Sequence, residues 1–317
     1  MRLARKHSFI ILPKPPFNFR LTVRKPAGWT LFNDDEVYDR GVLRTATRLD
    51  PGIVGMKLRG LGTVSRPKIQ VTLYTKKKLA AAEVTGLKEA LETFLGTNED
   101  MSPFYAMGRK DPILRHVIED LYGMHDTQTP YLFNSVVLSI CLQMAKLDRS
   151  EKMMKAISRH HGTTVEFDGK RIRVNPSAET IANLNPTDFA KECNLGYRAK
   201  YIVESAKIIS AGFPDTLELM SMKQEEAKEQ LMQLPGVGDY AADIINPRGG
   251  FPVDAWSVDV FGKLFFGREP ENAREAIEAV KMEGLRRWGD FAWYAFFYVA
   301  QDLRKLSKRL QIQLRMQ

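Results

Sequence analysis

The sequence predicts an α+β protein: an N-terminal curved antiparallel β-sheet carrying a helix, followed by a mainly α-helical region. Three observations carry this. Between residues 17 and 75, runs that alternate or are rich in β-branched residues are separated by Pro and Gly clusters. After Pro103, apolar residues recur at helical spacing. Between the two lies Gly96–Pro103, GTNEDMSP, a polar boundary rich in turn formers. The expected domains are therefore 1–100 and 101–317.

In the first domain FNFRLTV, VLRTATRL, IVGMKLRG and PKIQVTLYT read as strands, Lys25–Trp29 (KPAGW) as a turn, and Leu79–Leu95 as an amphipathic helix. In the second, Pro112–Tyr122, Tyr131–Met144, Ser150–His160 and Ala178–Leu184 read as helices, with Ser177 and Thr187 as caps. TTVEFDGKRIRV interrupts them, and Asp168-Gly169 between two β-type runs signals a hairpin. The closing helix, Asp290–Leu310, opens with six aromatics among the eight residues Phe291–Tyr298, too many to share one face.

Lys and Arg outnumber Asp and Glu by 47 to 38, a formal charge of +9 that favours a polyanionic partner. The two cysteines, Cys141 and Cys193, exclude a disulfide framework and a four-cysteine zinc or iron–sulfur site. No metal held by side chains is expected, since His160-His161 sits at a helix end where cations suit the dipole. No apolar run reaches the ~18 residues of a spanning helix, and Phe9–Leu12 is too short for a signal-peptide core. The expected location is cytoplasmic (nucleoid-associated) or nuclear, away from membranes. A P-loop and a dinucleotide fingerprint are both missing.

Chemistry concentrates in Leu231–Phe261, LMQLPGVGDYAADIINPRGGFPVDAWSVDVF. Lys223–Met232 reads as a polar helix that Pro235 and Gly236 stop. Gly236 and Gly238 permit backbone shapes closed to other residues, and a helix from Asp239 presents free N–H groups beside them. Such a hairpin is an anion site suited to a phosphate. Asp254 follows as a lone acid in an apolar setting. Asp259 also follows a valine but lies further along a helix, where an ordinary salt bridge is expected.

LPGVG followed by FPVDAW resembles the helix-hairpin-helix DNA glycosylase superfamily, whose members carry a Gly/Pro-rich loop and a single catalytic aspartate. The resemblance runs from about Thr129 to Arg304. NLGYRAKYIVESA is similar to the corresponding segment of the 8-oxoguanine DNA glycosylases, and RRWGDFAWYAFFYVAQDLRK resembles their closing helix. The N-terminal part resembles the extra domain that they share with 3-methyladenine DNA glycosylase II. The resemblance implies a helix-hairpin-helix unit at about 223–245, with Leu234, Gly236, Val237, Gly238 and Tyr240 against the DNA backbone. It implies Asp254 as the catalytic acid in cleavage of an N-glycosidic bond, by stabilising an oxocarbenium-like sugar or orienting a water.

Members of the superfamily extrude the target base and fill the gap with a side chain. Gln143 matches that filling position, while Tyr197 and Arg198 match residues that wedge beside the estranged base and bond to it. The 8-oxoguanine branch has a second arginine soon after the wedge. Asp148 holds that place on this alignment, with Arg149 beside it. Strand-cutting members carry a Schiff-base lysine where this chain has Tyr240, and no spacing recommends Lys263 as its substitute. The implied enzyme is therefore a monofunctional glycosylase without lyase activity.

Trp256, Trp288, Phe291, Phe296 and Phe297 are the expected base pocket, and electron-rich rings suit cationic alkylated purines. Ala295 stands where the 8-oxoguanine branch would place a polar base-reading residue. 8-Oxoguanine is the alternative substrate, and a non-catalytic DNA-binding protein the alternative class. The expected partner is double-stranded DNA containing damaged bases, bound by a monomer. No cofactor is expected, with room left only for a monovalent cation on the hairpin's backbone carbonyls.

Overall fold

A computed structural model of the chain describes residues 1–27, 35–49, 52–127, 131–246, 250–268 and 272–316. The end of the Lys25–Trp29 turn and the Pro247–Gly249 break after the second hairpin helix lie outside them. The N-terminal sheet is antiparallel and five-stranded: β1 (Arg5–Ile11), β2 (Val37–Asp39), β3 (Val42–Leu49), β4 (Gly52–Gly60) and β5 (Ile69–Thr75), in the order β1-β5-β4-β3-β2. Alternation builds it. Met56 pairs with Leu73 and Leu58 with Val71, and this buried face lies under Leu87 and Leu91 of α2 (Ala81–Phe94), behind a short α1 (Phe19–Val23).

Two sequence expectations change here. FNFRLTV alternates like a strand, yet the Asn18 side chain accepts the Leu21 amide at 3.1 Å and starts α1, so a capping bond overrides the alternation. β1 was not anticipated. It is an edge strand whose exposed basic residues mask its period.

Beyond residue 100 run α3 (Ser102–Gly108), α4 (Leu132–Leu142), α5 (Leu147–His161), the hairpin β6 (Thr163–Phe167) and β7 (Lys170–Val174), α6 (Ala178–Ala182), α7 (Pro186–Glu192), α8 (Arg198–Ser210) and α9 (Thr216–Ser221). Then come α10 (Gln224–Leu231), α11 (Asp239–Ile245), α12 (Ser257–Phe266), α13 (Ala273–Trp288) and α14 (Ala292–Leu310). Pro112–Tyr122 forms only one 3-10 turn at Leu114–His116, because the Asp111 carboxylate accepts the Ile113 and Leu114 amides and holds a turn. Asn185, not Thr187, caps α7.

This region has two cores rather than one. Phe133–Ile245 fills the first, and the second joins Met101–Met124 to Phe251–Leu314. Both cysteines are buried in the first, where burial pushes their thiols up to about 12 (Cys141) and about 11 (Cys193). Such thiols are packing groups, not nucleophiles.

The β6–β7 hairpin reaches back to the sheet. The Phe167 ring lies where a Cβ on Gly55 would come within 2.7 Å. Asp168 at the hairpin tip accepts Arg44 at 2.7 Å, Lys57 at 3.0 Å and the Tyr74 hydroxyl at 2.9 Å. Burial alone would raise its carboxyl, but these three donors outweigh it and hold it down at about 2. The stabilisation is thus complete above the ordinary carboxylate range and is lost as pH falls through about 2. Asp168→Asn should cost about 2 kcal/mol in urea unfolding at pH 7. The gap from wild type should close towards pH 2, whereas a gap independent of pH would contradict this reading.

Candidate active site

α10, the hairpin and α11 form the helix-hairpin-helix unit. Leu234 and Val237 turn inward and belong to the first helical core. Gly236 has φ +80°, and a Cβ there would lie 2.7 Å from Tyr201 Cβ, so only glycine fits. Gly238 differs: its φ is −97°, and an added Cβ would meet open space. The hairpin therefore presents bare backbone outward at Gly238. Its carbonyls are tied from behind: Pro235 O accepts Ser205 Oγ at 2.8 Å, and Gly236 O accepts Gln143 Nε2 at 2.6 Å.

Charge fixes the unit to the rest of the protein. Asp243 of α11 is 2% exposed, with Lys228 of α10 at 2.7 Å from one oxygen and Lys281 of α13 at 2.7 Å from the other. Both lysines also reach Asp239. Burial would lower the Lys281 ammonium, but bonds to Asp239 and Asp243 hold it well above its ordinary value. It is a locked cation. The chain then returns past Asp243 at Gly250, where a Cβ would come within 2.5 Å of a carboxylate oxygen.

Four residues on stands Asp254, at the head of α12. Its Oδ1 accepts the Trp256 amide at 3.0 Å, the Ser257 amide at 2.7 Å and Ser257 Oγ at 2.8 Å. Its own amide donates to Ser257 Oγ at 2.7 Å. Ser257 is fully buried, so this reciprocal cap fixes the carboxylate's rotamer while Asp254 itself stays half-buried. The Tyr240 phenol lies beside the same carboxylate. Burial first, and the neighbouring negative charge second, push that phenol far above its ordinary range. Tyr240 was expected among the backbone contacts; the structure brings its phenol close enough to the acid to feel its charge. Asp259 pairs with Arg315 at 2.6 Å, and Lys263 Nζ donates to Gln313 O at 2.8 Å.

The three residues matched to the wedge differ in where they point. Gln143 ends α4 with its side chain turned inward onto Gly236 O, and its own carbonyl accepts the Arg198 guanidinium. Arg198 is 3% exposed and packs over the Tyr197 ring at 4.7 Å. Of the three residues matched to the wedge, only Tyr197, 53% exposed, reaches outward. Next to Gln143, Met144 is 92% exposed at φ +48°. Its identity gave no hint of this, because a left-handed residue after a helix is usually glycine or asparagine.

The residues of the expected pocket divide between the core and half-buried positions. Trp288 is buried, its indole N–H donated to Asp111 at 3.1 Å, and Phe296 and Phe297 are buried in the second helical core. Aromatics surround the start of α14 because partners surround it: Phe251 and Phe261 touch Phe296, and Phe104 touches Phe291, Tyr294 and Tyr298. Phe291 and Trp256 are half-buried, and the Trp256 indole donates to Arg315 O at 2.8 Å. Trp293 was missed. Half-buried, it stacks within 16° of Phe296 and 12° of Phe297 and donates to Asp126 at 2.7 Å. Buried Lys25 bonds to Thr127, pairs with Asp126 at 3.8 Å and lies 5.3 Å from the Phe297 ring.

No family model matches the chain. It is 26% identical to a DNA-3-methyladenine glycosylase of Bacillus subtilis over 207 residues, covering 64% of this chain and 67% of that protein. It is 26% identical to a probable N-glycosylase/DNA lyase of Methanothermobacter thermautotrophicus over 242 residues, covering 69% and 75%. The 3-methyladenine DNA-glycosylase structure from Archaeoglobus fulgidus superposes with a TM-score of 0.73 at 22% identity, over 96% of this chain and all of that one. This is the helix-hairpin-helix DNA glycosylase fold. A Clostridium acetobutylicum 8-oxoguanine glycosylase/lyase bound to double-stranded DNA shares the glycosylase fold with a TM-score of 0.63 at 18% identity, over 87% and 99%.

Among the described residues no helix is long and apolar enough to cross a membrane, and no cluster of three or more His, Cys, Asp and Glu residues could hold a metal. The two hairpin glycines should behave differently in unfolding experiments. Gly236→Ala, strained and clashing, should destabilise the protein by at least about 1–2 kcal/mol, whereas Gly238→Ala should leave stability nearly unchanged. Equal effects would contradict the geometry described for the hairpin.

Proposed function

We propose that this protein is a DNA glycosylase of base excision repair that hydrolyses damaged bases from duplex DNA and leaves the strand uncut. The observation that carries the reading is the fixed Asp254 carboxylate with the Tyr240 phenol beside it. The open backbone at Gly238 and the first N–H groups of α11 receive a phosphate, and Tyr240 of that same first turn links the grip to the acid. The sugar is thus placed relative to the acid by its own backbone. Asp254 stabilises positive charge developing on the sugar or orients the attacking water.

Strand cutting needs an amine that attacks the sugar. Tyr240 keeps its proton and cannot form an imine, and Lys281 is tied between two carboxylates. The substrate class is an alkylated purine, supported by the relative named for 3-methyladenine and by the half-buried, stacked indole of Trp293. The hairpin carbonyls keep a second lone pair each, an oxygen donor set that fits a monovalent cation. Such an ion would supply positive charge beside the phosphate.

The test is to incubate the protein with duplexes carrying 3-methyladenine, hypoxanthine, 1-methyladenine or 8-oxoguanine and to measure free base. Release is expected for the alkylated purines. Asp254→Asn should lower it at least about a hundredfold, while duplex binding, steeply weakened by salt, persists. Release of none of these bases would reduce the protein to a binding module, and release of 8-oxoguanine alone would move it to that branch.

A further inference from the structure

We propose that Asp302 and Asp120 form a proton-operated joint in α14. With its proton, Asp302 keeps the helix kinked against the segment 117–124; without it, the last two turns of α14 come loose. Asp302 is the one residue of the helix that leaves helical geometry, at φ −115° and ψ 16°. Neither proline nor glycine lies near it in YVAQDLRKL, so the break follows from what the side chain meets. Asp302 is 4% exposed, and its Oδ2 is buried with no hydrogen-bond partner among the described residues. Lys305 Nζ stands 3.9 Å from its other oxygen and 3.3 Å from Asp120, which also pairs with Arg309 at 2.9 Å. Two carboxylates thus converge on one ammonium, and that ammonium is carried by an exposed side chain.

An ionised carboxylate at this depth needs its charge matched. Asp243 has a lysine on each oxygen, whereas Asp302 has only a share in Lys305. A proton supplies the rest. Burial, then the negative charge of Asp120, push the Asp302 carboxyl up to about 7. Burial would raise Asp120 as well, but Lys305 and Arg309 outweigh it and hold that carboxyl below the ordinary range. Just below neutrality the pair therefore carries one proton, on Asp302. One turn back, Tyr298 and its partner Tyr105 keep their protons, since burial pushes both hydroxyls upward. Arg309 also donates to the His116 carbonyl, and the His116 ring is turned to Arg115.

Loss of the proton adds a second negative charge where Lys305 is already engaged. Lys305 and Arg309 lie on the last two turns, and Asp120 lies on the segment beneath them. Opening that contact lets water reach Asp302.

Hydrogen exchange of the amides 303–310 in the full chain tests the joint. Between about pH 5.5 and about pH 8.5, after correction for the intrinsic rate, protection there should fall at least about tenfold, with a midpoint near 7. Asp302→Asn keeps the shape and cannot ionise, so its amides should be as protected at the higher pH as at the lower. Lys305→Gln removes an exposed cation that favours the charged form and should move the midpoint to higher pH.

Stability carries the same sign. The unfolded chain ionises this carboxyl near its ordinary value of 3.8, whereas the folded chain keeps the proton up to about 7, so stability is lost as pH rises through that window. The Tm of Asp302→Asn should gain on wild type by about 5 °C across it and hold that gain above it. Unchanged protection of 303–310 in wild type overturns the proposal, as does a loss that persists in Asp302→Asn or spreads evenly through the chain. A midpoint that Lys305→Gln leaves in place or lowers also overturns it, and so does a Tm gap independent of pH.

Discussion

A buried carboxylate holds the candidate site together. Asp243 is tolerable at its depth because a lysine stands on each of its oxygens, and those lysines come from α10 and α13. One side chain thus joins both helices of the hairpin unit to the helix behind them. It also constrains the chain on its return, since only glycine at position 250 can pass its carboxylate. The proposed phosphate grip and the stretch leading to Asp254 are thereby tied to one carboxylate. In the proposed reaction, which places a sugar against a carboxylate, that tie is positioning established before the substrate arrives.

On this frame the local chemistry is economical. The Asp254–Ser257 cap is an ordinary helix start, and it leaves a carboxylate that cannot swing away. Tyr240 sits one residue into α11, where the resemblance places a lysine in strand-cutting members, and its phenol lies beside the acid. An amine there would attack the sugar, whereas a phenol kept protonated by burial and by the acid's charge can only donate a hydrogen bond. The proposed division between base removal and strand cutting therefore rests on one side chain.

What was legible in the sequence was local. LPGVG and the aspartate after FPV were readable because their backbone needs restrict the residue types, and Asp168-Gly169 announced its hairpin for the same reason, both residues having positive φ. What was misread depends on distant partners. FNFRLTV lost its strand to one capping bond from Asn18. The aromatics of α14 looked like a surplus available to a ligand, but Phe251, Phe261 and Phe104 absorb most of them. Gln143 and Met144 are adjacent, and nothing in their identities says which turns inward. The carbonyl of Gly236, far along the chain, settles it.

The central claim is that Asp254 acts without a covalent amine partner, and borohydride trapping tests it most directly. An imine between a lysine and the sugar would be reduced to a stable protein–DNA adduct. Under conditions where base is released from an alkylated duplex, the account predicts free base, an intact abasic strand and no adduct. An adduct forming at the rate of base release would contradict it, and the lysine found in that adduct would replace Tyr240 at the centre of the mechanism.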